Sequence, residues 1–225
     1  MSKFRTIFFS LISFLPLYAG EQLVVVISSD MNSTIGIMQR YEKNRQWEKV
    51  GGTVTVTLGR SGMGWSDGDE PLKNEGDGRS PAGLFSISRT FGYDESPNSA
   101  MEYLHADGEL ICIDDVSDLH YNQMAVLNPL APAGSYEKMH RDDEVYRNGA
   151  IIDYNTEGKK GRGSCIFIHL NHPDYRPTSG CTAMDEEPLK ELLGWLDPKK
   201  NPMILQIPKS VCERYQKEFV GIKCR

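Results

Sequence analysis

The spacing of apolar and polar residues predicts a chain built mainly of β-strands. Residues 23–28 form a continuous run rich in β-branched side chains, and residues 53–58 alternate strictly between threonine and an apolar residue, as a half-buried strand does. Shorter runs of the same kinds predict further strands at 34–41, 47–50, 84–87, 150–152, 165–170 and 203–207. The strands up to residue 58 are expected to form an antiparallel meander.

One amphipathic helix is predicted after Asp185, which can cap its N-terminus. The helical spacing places four leucines on one face, at positions 189, 192, 193 and 196. Residues 59–78 are rich in glycine and aspartate and predict a loop. Residues 90–149 predict irregular loops and short helices, of the kind that often line a binding site. The expected fold class is therefore mainly β with a few helices.

Residues 1–19 have the features of a secretory signal peptide. Lys3 and Arg5 precede an apolar run over residues 7–17, and a small-residue cleavage site follows at Ala19. The run is short for a membrane span. We therefore expect export to the periplasm with removal of this segment, and the alternative is an uncleaved anchor.

The rest of the chain predicts one domain over residues 20–207 and a C-terminal tail over residues 208–225, with no integral membrane span after cleavage. Loss of the two N-terminal cations changes the formal net charge from −6 to −8. No run of Lys or Arg occurs in the remaining sequence. This composition argues against nucleic acid and against anionic lipid as partners.

The odd number of cysteines, five, leaves one thiol unpaired in an oxidising compartment. Cys212 and Cys224 lie close together on the tail and can close it. Cys112 and Cys165 would then pair and leave Cys181 free. In the alternative, Cys165 is a buried free thiol that behaves as a small apolar residue.

A histidine and a cysteine near the C-terminus have the arrangement of a base and a thiol nucleophile. His169 closes an apolar strand, and Cys181 follows in a tight Ser-Gly turn. Glycine in such a turn lets backbone N–H groups, those of Gly180 and the cysteine itself, approach an oxyanion. A third group usually orients the base. Asn155, Ser164 or a backbone carbonyl can do so here.

Two motifs resemble those of the L,D-transpeptidase catalytic domains, often called YkuD-type. Residues 73–85, KNEGDGRSPAGLF, are similar to the family's K-x-E-G-D-G-R-T-P-x-G-x-F element. Residues 163–169, GSCIFIH, followed by residues 178–181, TSGC, are similar to its histidine and cysteine motif in the branch G-S-x-I-F-x-H … P-T-x-G-C. The resemblance covers about residues 23–207, with both motifs in the family's order.

The resemblance implies a β-sandwich-like catalytic domain with Cys181 as nucleophile, His169 as general base and Gly180 in the oxyanion hole. Such an enzyme attacks the bond between meso-diaminopimelate and D-Ala in a peptidoglycan tetrapeptide stem and releases D-Ala. A second diaminopimelate amine then resolves the thioacyl-enzyme into a 3-3 cross-link. The resemblance implies no metal or organic cofactor, and it implies a role in cell wall biogenesis and cell shape.

The sequence departs from the commoner form of the cysteine motif at two positions. Ser179 replaces a histidine before the Gly-Cys pair, and Ala183 replaces an arginine two residues after the cysteine. Arg176 is a candidate replacement for that arginine in binding a substrate carboxylate. We predict Ser179, Arg176 and Asn155 as substrate-binding residues.

Four alternatives remain open at this point. Water in place of the amine would make the protein an L,D-carboxypeptidase that trims tetrapeptides to tripeptides, and a protein lysine would make it an attachment enzyme. A non-catalytic wall-binding domain would keep the fold without the reaction. A zinc site would use His169, His172 and Cys181, although a turn must bring the two histidines together.

Overall fold

The structure is a computed structural model that describes residues 21–95, 97, 99–127 and 134–224. The predicted signal peptide, residues 1–19, lies outside these residues. Within them, no helix has both the length and the apolar character needed to cross a bilayer.

The described residues are mainly β, which confirms the predicted fold class. They form thirteen strands, β1 to β13 in chain order: Glu21–Ser28, Ile35–Lys43, Trp47–Thr57, Met63–Trp65, Ser80–Gly92, Glu102–His105, Leu110–Ile113, Met124–Val126, Tyr136–Lys138, Asn148–Ile152, Phe167–Leu170, Thr182–Met184 and Met203–Pro208. Two α-helices, α1 and α2, span Glu186–Trp195 and Cys212–Gln216, and 3-10 turns cover Pro198–Lys200 and Lys209–Val211.

The largest sheet closes on itself. Its strands follow the order β10-β11-β12-β3-β2-β1-β13-β5, and β5 also pairs with β10, so that the first and last strands meet. The pairs β1–β13 and β11–β12 are parallel, and the other pairs in this circuit are antiparallel. Strands β4 and β6 each add in parallel to β5. The predicted meander is present as β1, β2 and β3.

The apolar face of α1 packs into the main core. Leu189, Leu192 and Leu193 are buried in this core, as their helical spacing predicts, and the helix lies against β10 and β11. Asp185 occupies the N-cap position, but its side chain makes no capping bond; its Oδ1 instead accepts a hydrogen bond from the Asn171 side chain at 2.8 Å. The helix is therefore held by burial more than by its cap.

Part of the sequence-based prediction for residues 90–149 is wrong. This region was expected to hold short helices, but its described residues form strands β6 to β9, and β8, β7 and β9 make a separate three-stranded sheet. Strands of three or four residues are too short to show a period in the sequence. The two runs predicted at 47–50 and 53–58 are one strand, β3, bent by a register shift opposite β2, and the predicted loop at 59–78 contains β4.

Two disulfides join distant segments. Cys112 on β7 is bonded to Cys165, which directly precedes β11, and Cys212 is bonded to Cys224 across the tail. Cys181 is the free cysteine, and all five cysteines lie in the described part of the chain. The predicted pairing is confirmed, and the alternative of a free Cys165 is wrong.

Candidate active site

The parallel pair β11–β12 brings the predicted nucleophile and base to one face of the sheet. Cys181 directly precedes β12, where Thr182 pairs with Ile168. The Phe167 amide donates a hydrogen bond to Cys181 Sγ at 3.3 Å. Alternate residues of a strand share a face, so His169 lies on the same side of β11 as Phe167. Both the thiol and the imidazole line one cleft of about 1040 Å³.

Hydrogen bonds within and beyond the turn fix the cysteine backbone. The Cys181 carbonyl accepts hydrogen bonds from Thr178 Oγ1 at 2.7 Å and from Ser80 Oγ at 2.9 Å. Gly180 has a φ of +145°, and a Cβ at this position would lie 2.9 Å from the Arg79 carbonyl oxygen. Only glycine fits both the φ and the space. The Gly180 N–H, predicted as an oxyanion donor, donates to Thr178 Oγ1 at 3.1 Å.

The glycine-rich motif at 73–85 packs beside this turn and beside the segment before β11. Its Ser80 supplies one of the bonds to the nucleophile's carbonyl. Its Glu75 accepts hydrogen bonds from Ser164 Oγ at 2.6 Å and from the Tyr121 hydroxyl. Its buried Lys73 is held by Asp77, with 2.8 Å between Nζ and Oδ1. The two motifs recognised in the sequence thus form one structural unit.

A backbone carbonyl orients the histidine. His169 Nδ1 lies 2.8 Å from the Leu170 carbonyl oxygen. A carbonyl oxygen only accepts hydrogen bonds, so Nδ1 carries the proton and Nε2 is left with its lone pair. Of the three orienting groups considered from sequence, the carbonyl is therefore the one that acts. Ser164 is instead bonded to Glu75, as described above.

Burial keeps both groups of the pair neutral. Each side chain is 7% exposed. Desolvation raises the pKa of the Cys181 thiol to about 12, with a further contribution from the charge of Glu137, against hydrogen bonds from Phe167 and Tyr146. Desolvation also lowers the pKa of His169 to about 4. At neutral pH the free protein therefore holds a thiol and a neutral imidazole, not a thiolate–imidazolium pair.

A charged network lines the cleft beside His169. The Tyr146 ring packs edge-on against His169, with ring centroids 5.1 Å apart, and its hydroxyl donates to Glu137 Oε1 at 2.6 Å. Arg141 lies over the Tyr146 ring and binds Asp143 at 2.7 Å and Glu137 at 3.4 Å. Desolvation raises the pKa of Glu137. No spacing in the sequence singled out these residues, although their region was expected to line a site.

The three predicted substrate-binding residues fall in different places. Ser179 and Arg176 line the cleft. Asn155 does not line it: its side chain binds its own loop, donating to the Lys159 and Gly163 carbonyls and accepting from the Lys159 amide. These bonds support its φ of +51°, a conformation that asparagine tolerates.

The arrangement required by the zinc alternative is not present in the described part of the chain. No three His, Cys, Asp or Glu side chains in that part are arranged to hold a metal ion. His172 instead makes a 2.6 Å contact with Asp174 through its Nδ1. A zinc site at His169, His172 and Cys181 therefore has no assembled ligand set.

Comparison with known proteins gives one family. The sequence profile of YkuD, the L,D-transpeptidase catalytic domain, matches residues 24–205, which include both motifs and nearly all of the closed sheet. A search of curated proteins found no match. Because the profile covers most of the chain, the protein belongs to the L,D-transpeptidase catalytic domain family.

Proposed function

We propose that this protein is a periplasmic cysteine acyltransferase that forms 3-3 cross-links between peptidoglycan tetrapeptide stems. The observation that carries the proposal is the free, buried Cys181 thiol in one cleft with a neutral His169 whose Nε2 lone pair is available. The family match supports the reaction type. Two disulfides support an oxidising compartment such as the periplasm.

The first half of the reaction forms a thioacyl-enzyme. His169 Nε2 takes the thiol proton while Cys181 Sγ attacks the diaminopimelate carbonyl carbon of the bond to D-Ala. The carbonyl oxygen becomes an oxyanion. We assign its stabilisation to the Cys181 N–H, since the Gly180 N–H already donates to Thr178. The intermediate collapses, the carbon–nitrogen bond breaks, and the D-Ala amine leaves with the proton from His169.

The second half reverses the roles. An uncharged amine of a second diaminopimelate attacks the thioester carbonyl, and His169 accepts the proton that the nitrogen loses. The carbon–sulfur bond then breaks, and the sulfur recovers a proton from His169. A neutral starting pair suits this cycle, because the full cycle begins and ends with an uncharged thiol and an uncharged imidazole, and the thioacyl-enzyme between the two halves has an uncharged thioester and imidazole. Water as the acceptor would give tripeptide by the same steps.

The test is product analysis with intact disulfides. Full-length protein is exported, purified from the periplasm without reductant and mixed with disaccharide-tetrapeptide, beside Cys181→Ala. Mass spectrometry is expected to show a dimer that lacks one D-Ala, only with the intact cysteine. The mass of the purified protein also reports whether residues 1–19 were removed.

Other product patterns would contradict the proposal in distinct ways. Tripeptide without dimer would assign an L,D-carboxypeptidase with the same nucleophile. Equal turnover by Cys181→Ala would remove the cysteine from the mechanism. Binding of the stem without turnover by the folded wild-type protein would assign a wall-binding domain.

A further inference from the structure

Among the described residues, five Lys and Arg side chains line the cleft, and three of them are paired with carboxylates. Lys73 is paired with Asp77 at 2.8 Å, Arg141 with Asp143 at 2.7 Å, and Arg176 lies 3.9 Å from Asp174. The other two are Arg60 and Lys138. Among the described residues, no carboxylate oxygen lies within ion-pair distance of either one.

Arg60 differs from Lys138 because it is fixed beside the nucleophile. Its backbone N–H donates to the Thr178 carbonyl at 2.9 Å, which joins the turn that holds Arg60 to the cysteine turn. Its Nη1 donates to Ser179 Oγ at 3.1 Å, and Nη2 donates to the Gly76 carbonyl at 3.2 Å. Lys138 lies on β9, in the separate three-stranded sheet.

The Arg60 side chain packs against Gly78, where the absence of a Cβ leaves space for it. Gly78 has a φ of +70°, and a Cβ there would lie 2.7 Å from Arg60 Cγ and 2.8 Å from its Cζ. The Arg60 side chain therefore packs closely on Gly78, and its two terminal nitrogens donate to neutral acceptors, the Ser179 hydroxyl and the Gly76 carbonyl. A guanidinium has five N–H donors, and these two bonds leave most of them free. A fixed, unneutralised guanidinium is well suited to a carboxylate.

The position conventionally held by the motif arginine cannot supply this charge. Ala183 is 1% exposed and is paired with His169 on one side and Thr57 on the other. The alanine methyl group is buried and carries no charge. Arg60 instead brings a positive charge to the cysteine turn, where it contacts Ser179, two residues before Cys181.

We propose that Arg60, with the Ser179 hydroxyl, binds the terminal carboxylate of the D-Ala that leaves. This inference rests on the proposed function, because it names the part of that substrate that Arg60 and Ser179 bind. In the stem, this carboxylate carbon is three bonds from the carbonyl carbon under attack, so the two groups must bind side by side. Binding the terminal carboxylate selects stems that end at this D-Ala, since a longer stem places an amide at the same point.

The test compares two substrates across matched variants. The substrates are disaccharide-tetrapeptide with a free C-terminal carboxylate and the same molecule with a C-terminal carboxamide. The readout is kcat/KM for release of D-Ala or its amide. Wild type is expected to prefer the carboxylate by about 10- to 100-fold, the range of a charge-assisted hydrogen bond. Arg60→Gln should lose this preference by slowing only on the carboxylate, and Arg60→Lys should retain part of it.

Lys138→Gln is the matched control, because it removes an unpaired cation of the same cleft that lies away from the turn. It should keep the wild-type preference. The proposal is overturned if Arg60→Gln keeps the preference, or if it slows equally on both substrates, as a merely structural residue would.

A binding measurement separates this proposal from the proposed function. Calorimetry with Cys181→Ala should show tighter binding of the carboxylate than of the carboxamide, and Cys181→Ala/Arg60→Gln should bind both alike. If this holds while wild type turns over neither substrate, the carboxylate site stands and the transpeptidase function fails. If Cys181→Ala binds both forms equally or binds neither, the carboxylate site is refuted whatever the turnover.

Discussion

The two walls of the cleft are built on different principles. The strand wall, made of β11, β12 and the turn before β12, carries Cys181 and His169, both neutral and both held by backbone groups. The cap wall, made of the three-stranded sheet and the segment up to Tyr146, carries Glu137 and Arg141 in a network of charged side chains. We therefore assign the reacting groups to the strand wall, and most of the charged lining of the cleft to the cap wall.

Removing either reactive group of the strand wall should have the largest effect. Cys181→Ala should lower kcat for stem turnover by about 10⁴-fold or more, as loss of a nucleophile does in comparable enzymes. His169→Gln should lower it by about 10²- to 10⁴-fold, because the thiol then has no base. Steady-state kinetics measures both. A loss of less than tenfold in either variant would contradict the role given to that residue.

The neutral pair predicts an unusual reactivity of the thiol toward alkylating agents. Since burial raises the pKa of Cys181 to about 12, the thiolate fraction should be far below that of a free cysteine at pH 7.5. Alkylation by iodoacetamide should then be about 100-fold slower or more, and it should accelerate as pH rises above 9.

Intact-protein mass spectrometry over a pH series measures this rate. The groups that face the pair are Glu137, Tyr146, Arg141, Asp143 and Lys73. A rate that is already maximal at pH 6 would show a thiolate–imidazolium pair and would contradict the neutral site. Catalysis should fall on the acid side only as pH approaches about 4, where His169 becomes protonated.

The Cys112–Cys165 disulfide joins the two walls, so its removal tests whether the strand wall depends on the cap wall. The double substitution Cys112→Ser/Cys165→Ser removes a disulfide between cysteines 53 residues apart in sequence. It should lower the free energy of unfolding by about 4 kcal/mol. It should also lower kcat about tenfold, because the Cys181 thiol lies 3.5 Å from the Cys165 carbonyl oxygen and the cap wall loses its covalent anchor. Urea unfolding and kinetics below the transition measure the two effects.

The second disulfide is the matched control. The double substitution Cys212→Ser/Cys224→Ser removes a disulfide between cysteines 12 residues apart in sequence, neither of which lines the cleft. It should lower the free energy of unfolding by about 3 kcal/mol. Its kcat should stay at the wild-type value at temperatures where the variant is folded. Equal losses of activity in the two double variants would show that the link between the walls has no special role.

The smallest predicted change is at the contact between the walls. Tyr146→Phe keeps the ring that packs on His169 but removes the hydroxyl that donates to Glu137. The buried carboxyl then loses a partner, which costs about 1 to 3 kcal/mol in stability. Activity should fall several-fold with little change in KM. An unchanged kcat with the same loss of stability would make Tyr146 a purely structural residue.

The strand wall was largely predictable from sequence, and the cap wall was not. The apolar run at 165–170 predicted the strand that is β11, although β12, with only three residues, was not predicted. The spacing of His169 and Cys181 was enough to predict that they meet, because a parallel strand pair brings them to one face. Two motifs in order also predicted the family, which the profile match confirms.

The cap wall depends on pairings that no local pattern encodes. Leu110–Ile113 is buried throughout, and its partners Met124–Val126 and Tyr136–Lys138 have three residues each, too few to show alternation. Glu137 reaches the site only after this sheet has formed. Arg60 was overlooked for the same reason, since its place beside Ser179 is set by a bridge between segments more than a hundred residues apart.

The central claim is that Cys181 attacks the stem to expel D-Ala. Its most direct measurement is the rate of D-Ala release from disaccharide-tetrapeptide by the disulfide-intact protein, beside Cys181→Ala with its fold verified by thermal unfolding. The account predicts release by the wild type and a rate lower by about 10⁴-fold or more in the variant. Equal release by both proteins, or none by either while the substrate binds, would contradict it.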